Sequence, residues 1–89
     1  MRAVISVIGT DAVGILHKVS GVCYENNCNI VDVNQKVMQG FFTMVMIVEI
    51  DACKVPFSAF CDQLDALGRS MGLTVHAMHE DIFHSMHRI

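Results

Sequence analysis

The 89-residue sequence predicts an α+β two-layer sandwich, a four-stranded antiparallel sheet carrying two helices on one face. Three observations lead there. Four apolar segments have the length and composition of strands. Two others repeat their apolar residues at helical spacing. The order is strand-helix-strand-strand-helix-strand, and right-handed crossovers in that order bring both helices to one face of the sheet. The expected architecture is the ferredoxin-like βαββαβ sandwich.

The first strand is the apolar run at residues 3–8. The first helix covers residues 13–26, with Ile15, Leu16, Val19, Val22 and Cys23 on its inner face. Asn26-Asn27 ends it, because Asn tolerates left-handed backbone. Asn29–Met38 is the second strand, with Val31, Val33, Gln35 and Val37 on one side. Gln39-Gly40 is a two-residue hairpin turn, and the third strand follows at residues 41–50. The second helix covers residues 56–71, opened by Pro56 and closed by Gly72. Its inner face is Phe57, Phe60, Cys61, Leu64, Leu67 and Met71. The last strand is residues 73–80, and a short tail ends the chain. One domain is expected over residues 1–89, with 80–89 as a tail packing at a dimer.

Strand three conflicts with a sheet wet on its far side. Both of its faces, one with Val45 and Ile47 and the other with Met44, Met46 and Val48, are mostly apolar. A half-solvated strand alternates instead. The simplest cover is a second copy, since two-fold dimers dominate soluble oligomers. Crowding by the C-terminal tail is the alternative.

Composition narrows the function. The hydrophobic fraction of 53% is high for so small a chain, yet no window approaches the ~18–20 apolar residues of a spanning helix. Met1-Arg2 leads directly into a strand with no cleavage-site pattern, so a cytoplasmic location without membrane contact is expected. The net charge is −3 and the six basic residues are scattered. Nucleic acid, which needs clustered cations, is not an expected partner. Cys23, Cys28, Cys53 and Cys61 form no Cys-x-x-Cys pair and are expected as reduced thiols, with Cys23 and Cys61 as small core residues. No serine-histidine-acid set, phosphate loop or redox pair marks an enzyme, and no cofactor is expected.

The segment Gly9-Thr10-Asp11-Ala12-Val13-Gly14-Ile15-Leu16 is the candidate binding loop. Gly9 permits a sharp turn and Gly14 a close approach to the backbone. The first helical turn leaves unpaired N–H groups, which together with the helix dipole favour a small anion such as a carboxylate. Asp11 has the simpler alternative role of helix cap. The C-terminal histidines are a second candidate. His76 and His79 sit at odd spacing on a strand and face opposite sides. His79, His84 and His87 would be the ligands if the tail held a metal. The reading adopted is no metal, with Ile82, Phe83 and Met86 packing on the dimer.

The opening strand, the Gly9-Thr10-Asp11-Ala12-Val13-Gly14-Ile15 loop and Asn29-Ile30 at the start of the second strand resemble the ACT domain, a small regulatory module of amino-acid metabolism. The blocks Met38-Gln39-Gly40-Phe41-Phe42-Thr43-Met44 and His79-Glu80-Asp81-Ile82-Phe83, with Met86-His87-Arg88-Ile89, are similar to the short ACT proteins called UPF0237. Val13 departs from the pattern, standing where ACT domains often carry Pro. The resemblance implies a homodimer that binds an amino acid between Asp11, Ala12, Val13, Gly14 and Ile15 of one copy and Asn29 and Ile30 of the other. Asp11 would meet an ammonium group, the N–H groups near Gly14 a carboxylate, and Asn29 either. The expected function is thus a regulatory module sensing an amino acid or related molecule and reporting to an unknown effector protein. The alternative is a ligand-free module that docks a partner through its sheet or tail.

Overall fold

In the computed structural model, residues 1–10 and 14–86 are described. Ala3, Ile5 and Val7 of β1 (Arg2–Thr10) are fully buried, because β1 lies in the interior of the sheet. The strand order is β2-β3-β1-β4, with β2 at Asn29–Met38, β3 at Phe41–Glu49 and β4 at Thr74–His79. All three pairings are antiparallel, with Ile5 opposite Met46 on one side and Ala77 on the other. Helix α1 (Ile15–Glu25) joins β1 to β2, and α2 (Phe57–Met71) joins β3 to β4. Phe42, Met44, Met46 and Val48 meet Ile15, Val19, Cys23, Phe60 and Leu64 in one buried cluster. Burial of this kind is worth ~1.5–3 kcal/mol per large side chain. This is the expected ferredoxin-like sandwich.

Several details depart from the sequence reading. A bulge between Ile30 and Asp32 resets the alternation of β2, since a bulge adds one unpaired residue to its strand. Ile30 and Val33 therefore pack on the core, and Val31 is exposed rather than sharing the side of Val33. Leu16, expected on the inner face of α1, is exposed, and Val22 is half-buried. Cys61 is half-buried too, its thiol 3.7 Å from the Ala77 carbonyl.

The two loop glycines exchange their expected roles. Gly9 is inside β1, and a Cβ there would collide with the Leu73 side chain, so it serves close approach and not a turn. Gly14 caps α1 at φ 82° with nothing within 4 Å of an added Cβ, so its backbone angle is what requires glycine.

Helix ends follow the expected chemistry. Asn26 is buried at the end of α1, its Nδ2 donating to the Val22 carbonyl at 2.8 Å and to Gln63 Oε1 of α2 at 2.7 Å. Asn27 takes φ 61°, as do Gln39 and Gly40 of the hairpin at 51° and 84°. Gly72 caps α2 at φ 70°.

The end of the chain is a helix, α3 (Glu80–Met86), following β4 directly. It contacts β1 and β4. Val4, which alternation points away from α1 and α2, is only 3% exposed. The far side of the sheet is thus covered near β1 and β4 and bare near the hairpin, where Ile8, Met38 and Phe41 are exposed.

Candidate functional site

The two halves of the expected site are at opposite ends of one helix. Gly14 starts α1 and Asn29 follows its far end. The helix has 11 residues, about 16 Å at 1.5 Å per residue, so the halves do not meet within one chain. Asp11, Ala12 and Val13 lie outside the described residues. Ile15 is buried at 2% exposure and Ile30 packs against the core. Their side chains are committed to the fold, which leaves only their backbones for a ligand.

Asn29 is exposed as the first residue of β2, opposite Glu49. With Tyr24, Asn27 and Cys28 it lines a hollow of about 200 Å³. Asn27 Nδ2 donates to the Ala52 carbonyl at 3.3 Å, which holds one wall against the loop after β3. Tyr24 is 85% exposed, the least covered large hydrophobic side chain among the described residues. Tyr24 was not singled out from the sequence, and Asn27 only as part of the pair that ends the first helix. The available signal was a tyrosine off the apolar stripe of a helix, one turn before a pair of asparagines. The hollow thus has three amide or phenol groups able to donate and accept, and no described charge. Beside it, β2 is an edge strand with one side unpaired.

A second hollow, of about 380 Å³, is lined by Met1, Arg2, His79, Glu80, Asp81 and Ile82. Three of its charged groups are paired, Arg2 and Glu80 with each other and the Met1 ammonium with Asp51 outside the lining. Arg2 donates to Glu80 through Nε at 3.2 Å and Nη2 at 2.7 Å. The Met1 ammonium group donates to Asp51 at 2.6 and 2.7 Å. The Arg2 hydrogen bond, helped by His84, holds the Glu80 carboxyl below its ordinary range.

The candidate metal ligands separate. The His79 ring stacks on Phe57 with centroids 4.3 Å apart, and its Nδ1 is buried with no hydrogen-bond partner among the described residues. His84 is on exposed α3, with Nε2 3.5 Å from Glu80. His87 lies outside the described residues. No three His, Cys, Asp or Glu among the described residues are placed to hold one ion. No described helix is long and apolar enough to cross a membrane.

The ACT domain family model matches residues 2–78. A UPF0237 protein of Methanosarcina acetivorans is 46% identical over 88 residues, covering 99% of this chain and 96% of that one. A UPF0237 protein of Clostridium perfringens is 44% identical over 89 residues, covering both chains completely. The solved ACT domain protein from Streptococcus pneumoniae superposes with a TM-score of 0.81 at 34% identity, covering 93% of each chain. ACT domains are in general small regulatory modules that commonly dimerise and bind small molecules. The buried strands, the loop at Gly9 and Gly14 and the full-length likeness agree, and this chain belongs to the ACT-domain family, in its UPF0237 group.

Proposed function

We propose that this chain is a regulatory module that binds an amino acid or related small molecule between two copies of itself. The observation that carries the reading is the separation of its two half-sites by the length of α1, next to an unpaired β2 edge. Two β2 edges paired antiparallel about a two-fold axis exchange their ends. The start of α1, at Gly14 and Ile15, of one copy then comes beside the Tyr24–Asn29 hollow of the other. The chemistry of the halves is complementary to an α-amino acid. N–H groups at the start of α1 suit a carboxylate, Asp11 suits an ammonium group, and Asn27 and Asn29 serve either. The reading assigns binding and reporting to the chain and no catalysis.

The test is a thermal-shift screen of the purified protein against the twenty amino acids, with sedimentation to give the oligomeric state. Binding to the folded form raises Tm by mass action. One amino acid should raise it selectively, and Asn29→Ala should abolish the rise while the protein stays folded. A flat screen at millimolar concentrations refutes the reading.

A second reading has its own support. Ile8, Met38 and Phe41 on the sheet and Ile82 and Met86 on α3 are all at least half exposed. Apolar groups gathered on one side fit docking to another protein surface. A flat screen together with loss of association in Phe41→Ser would favour this module, with no small ligand.

A further inference from the structure

Three of the four cysteines gather beneath the Tyr24–Asn29 hollow. Cys23 comes from the inner side of α1, Cys28 from the turn into β2, and Cys53 from the loop between β3 and α2. The β2–β3 register ends with Asn29 opposite Glu49, so the chain segments beyond these residues run side by side. They are stitched together there. The Lys54 N–H donates to the Asn26 carbonyl at 3.0 Å. Asn27 Nδ2 reaches the Ala52 carbonyl at 3.3 Å. The Cys28 thiol is 3.8 Å from that same Asn26 carbonyl, and Cys53 lies between Ala52 and Lys54, the two residues bonded to this turn. All four cysteines are free, Cys28 is buried and Cys53 is partly exposed.

We propose that Cys28 and Cys53 are a thiol–disulfide site, closed by exchange with a low-molecular-weight disulfide and reopened by thiols. Access and placement select this pair. Cys53 can be reached from solvent, and its two chain neighbours are hydrogen-bonded to the turn that carries Cys28. Cys23 is fully buried behind them. Cys61 is engaged elsewhere, with the Ala77 carbonyl of β4.

The exchange takes two steps. The Cys53 thiolate attacks one sulfur of RSSR, forming Cys53–S–S–R and releasing RS⁻. Cys28 Sγ then gives up its proton to water and attacks Cys53 Sγ, and the second RS⁻ leaves. Two protein thiols lose two electrons and two protons in all, and RSSR becomes two RSH. Burial pushes the Cys28 thiol up to about 12 and the Cys23 thiol to about 11. The second step is therefore slow, because the thiolate is the nucleophile; Cys23 remains a bystander because it is fully buried. A reducing milieu keeps the pair open, as is usual for redox-responsive disulfides inside cells.

The bond would clamp the open end of the β2–β3 hairpin and fix the turn that presents Asn27 and Asn29. Its regulatory meaning rests on the ligand site proposed above, but its formation does not.

The test treats the full-length protein with oxidised glutathione, maps peptides by mass spectrometry without reduction, and then adds dithiothreitol. The expected result is a Cys28–Cys53 linked peptide two hydrogens lighter than the reduced pair, reversed by the thiol. Tm should rise by more than about 5 °C in the oxidised form. Cys28→Ser should stop at a glutathione adduct on Cys53, Cys53→Ser should give no bond, and Cys61→Ser should behave as wild type. A persistent adduct on wild-type Cys53, a bond through Cys23 instead, or no modification of Cys53 overturns the proposal. The amino-acid screen is run on reduced protein, so the failure of either proposal leaves the other standing.

Discussion

Gly68 sets two effects of opposite sign against each other. It is buried on α2, facing the start of β4, and the Leu73 N–H donates to its carbonyl at 2.8 Å. That bond fixes the spacing between the helix end and the strand. A Cβ at Gly68 would lie 2.7 Å from Val75 Cγ2, 3.0 Å from the Leu73 carbonyl oxygen and 3.2 Å from Val75 Cβ. Val75 is buried and β-branched, so its side chain cannot swing aside, and the carbonyl is backbone. Gly68→Ala gains ~1 kcal/mol of helix propensity. It loses about 2–3 kcal/mol to overpacking, toward the upper part of the usual range because none of the three close atoms can readily give way. The net is ~1–2 kcal/mol of destabilisation, or a fall in Tm of about 4–16 °C for a domain of this size. Gly21 is the control. It is also helical, on α1, but an added Cβ meets nothing within 4 Å. Gly21→Ala should keep the propensity gain of up to ~1 kcal/mol. Urea and thermal unfolding of both variants give the comparison. Equal stabilisation by the two substitutions would refute the packing account of Gly68.

Other expectations concern charge, turn and core. The Glu80 carboxyl is held below its ordinary 4.5, first by its hydrogen bond from Arg2. A depressed carboxyl stabilises the fold above its unfolded pKa, and the contribution is lost as pH falls from about 4.5 through the folded value. Arg2→Ala should move the Glu80 titration, followed by NMR, back up toward 4.5, and an unmoved titration would contradict the pairing. Gln39 holds φ 51° in the hairpin turn, a conformation Asn adopts at less cost. Gln39→Asn should raise stability by about 0.5–1 kcal/mol in urea unfolding. Met46 is fully buried at the centre of the core, so Met46→Ala should cost ~2–5 kcal/mol where Met46→Leu costs under about 1.5.

The fold was legible because each element carried its own signal. Phe60 and Leu64 repeat at helical spacing, and Asn27, Gln39-Gly40 and Gly72 mark turns that the backbone takes with positive φ. The bulge at Val31 was not legible, since an extra residue in an apolar strand leaves the composition unchanged. Gly9 misled because its requirement comes from Leu73, distant in sequence. The tail's helix was hidden by its length of only 7 residues, too short for periodicity to count. At the candidate site, Asn29 was named only through the family resemblance, at the start of the second strand. Tyr24 and the approach of the Cys53 loop to the turn at Cys28 could not be read, because they depend on how the turn after α1 meets the loop after β3. The separation of Gly14 from Asn29 was legible, because the helix expected over residues 13–26 already sets them at its opposite ends.

The position of β1 between β3 and β4 has a consequence for how the protein is made. Synthesis runs from β1 onward, so the first strand is finished before either neighbour exists. The β2–β3 hairpin closes through local contacts and can form early. β1 gains its second neighbour only when the chain has been extended through His79. Until then Ala3, Ile5 and Val7 belong to a strand with an open edge, the kind of surface that pairs with other chains. A chain folded through α2 with β4 still unpaired therefore holds a sheet whose inner strand β1 is exposed along one side, and the six-residue strand β4 is the one that seals it.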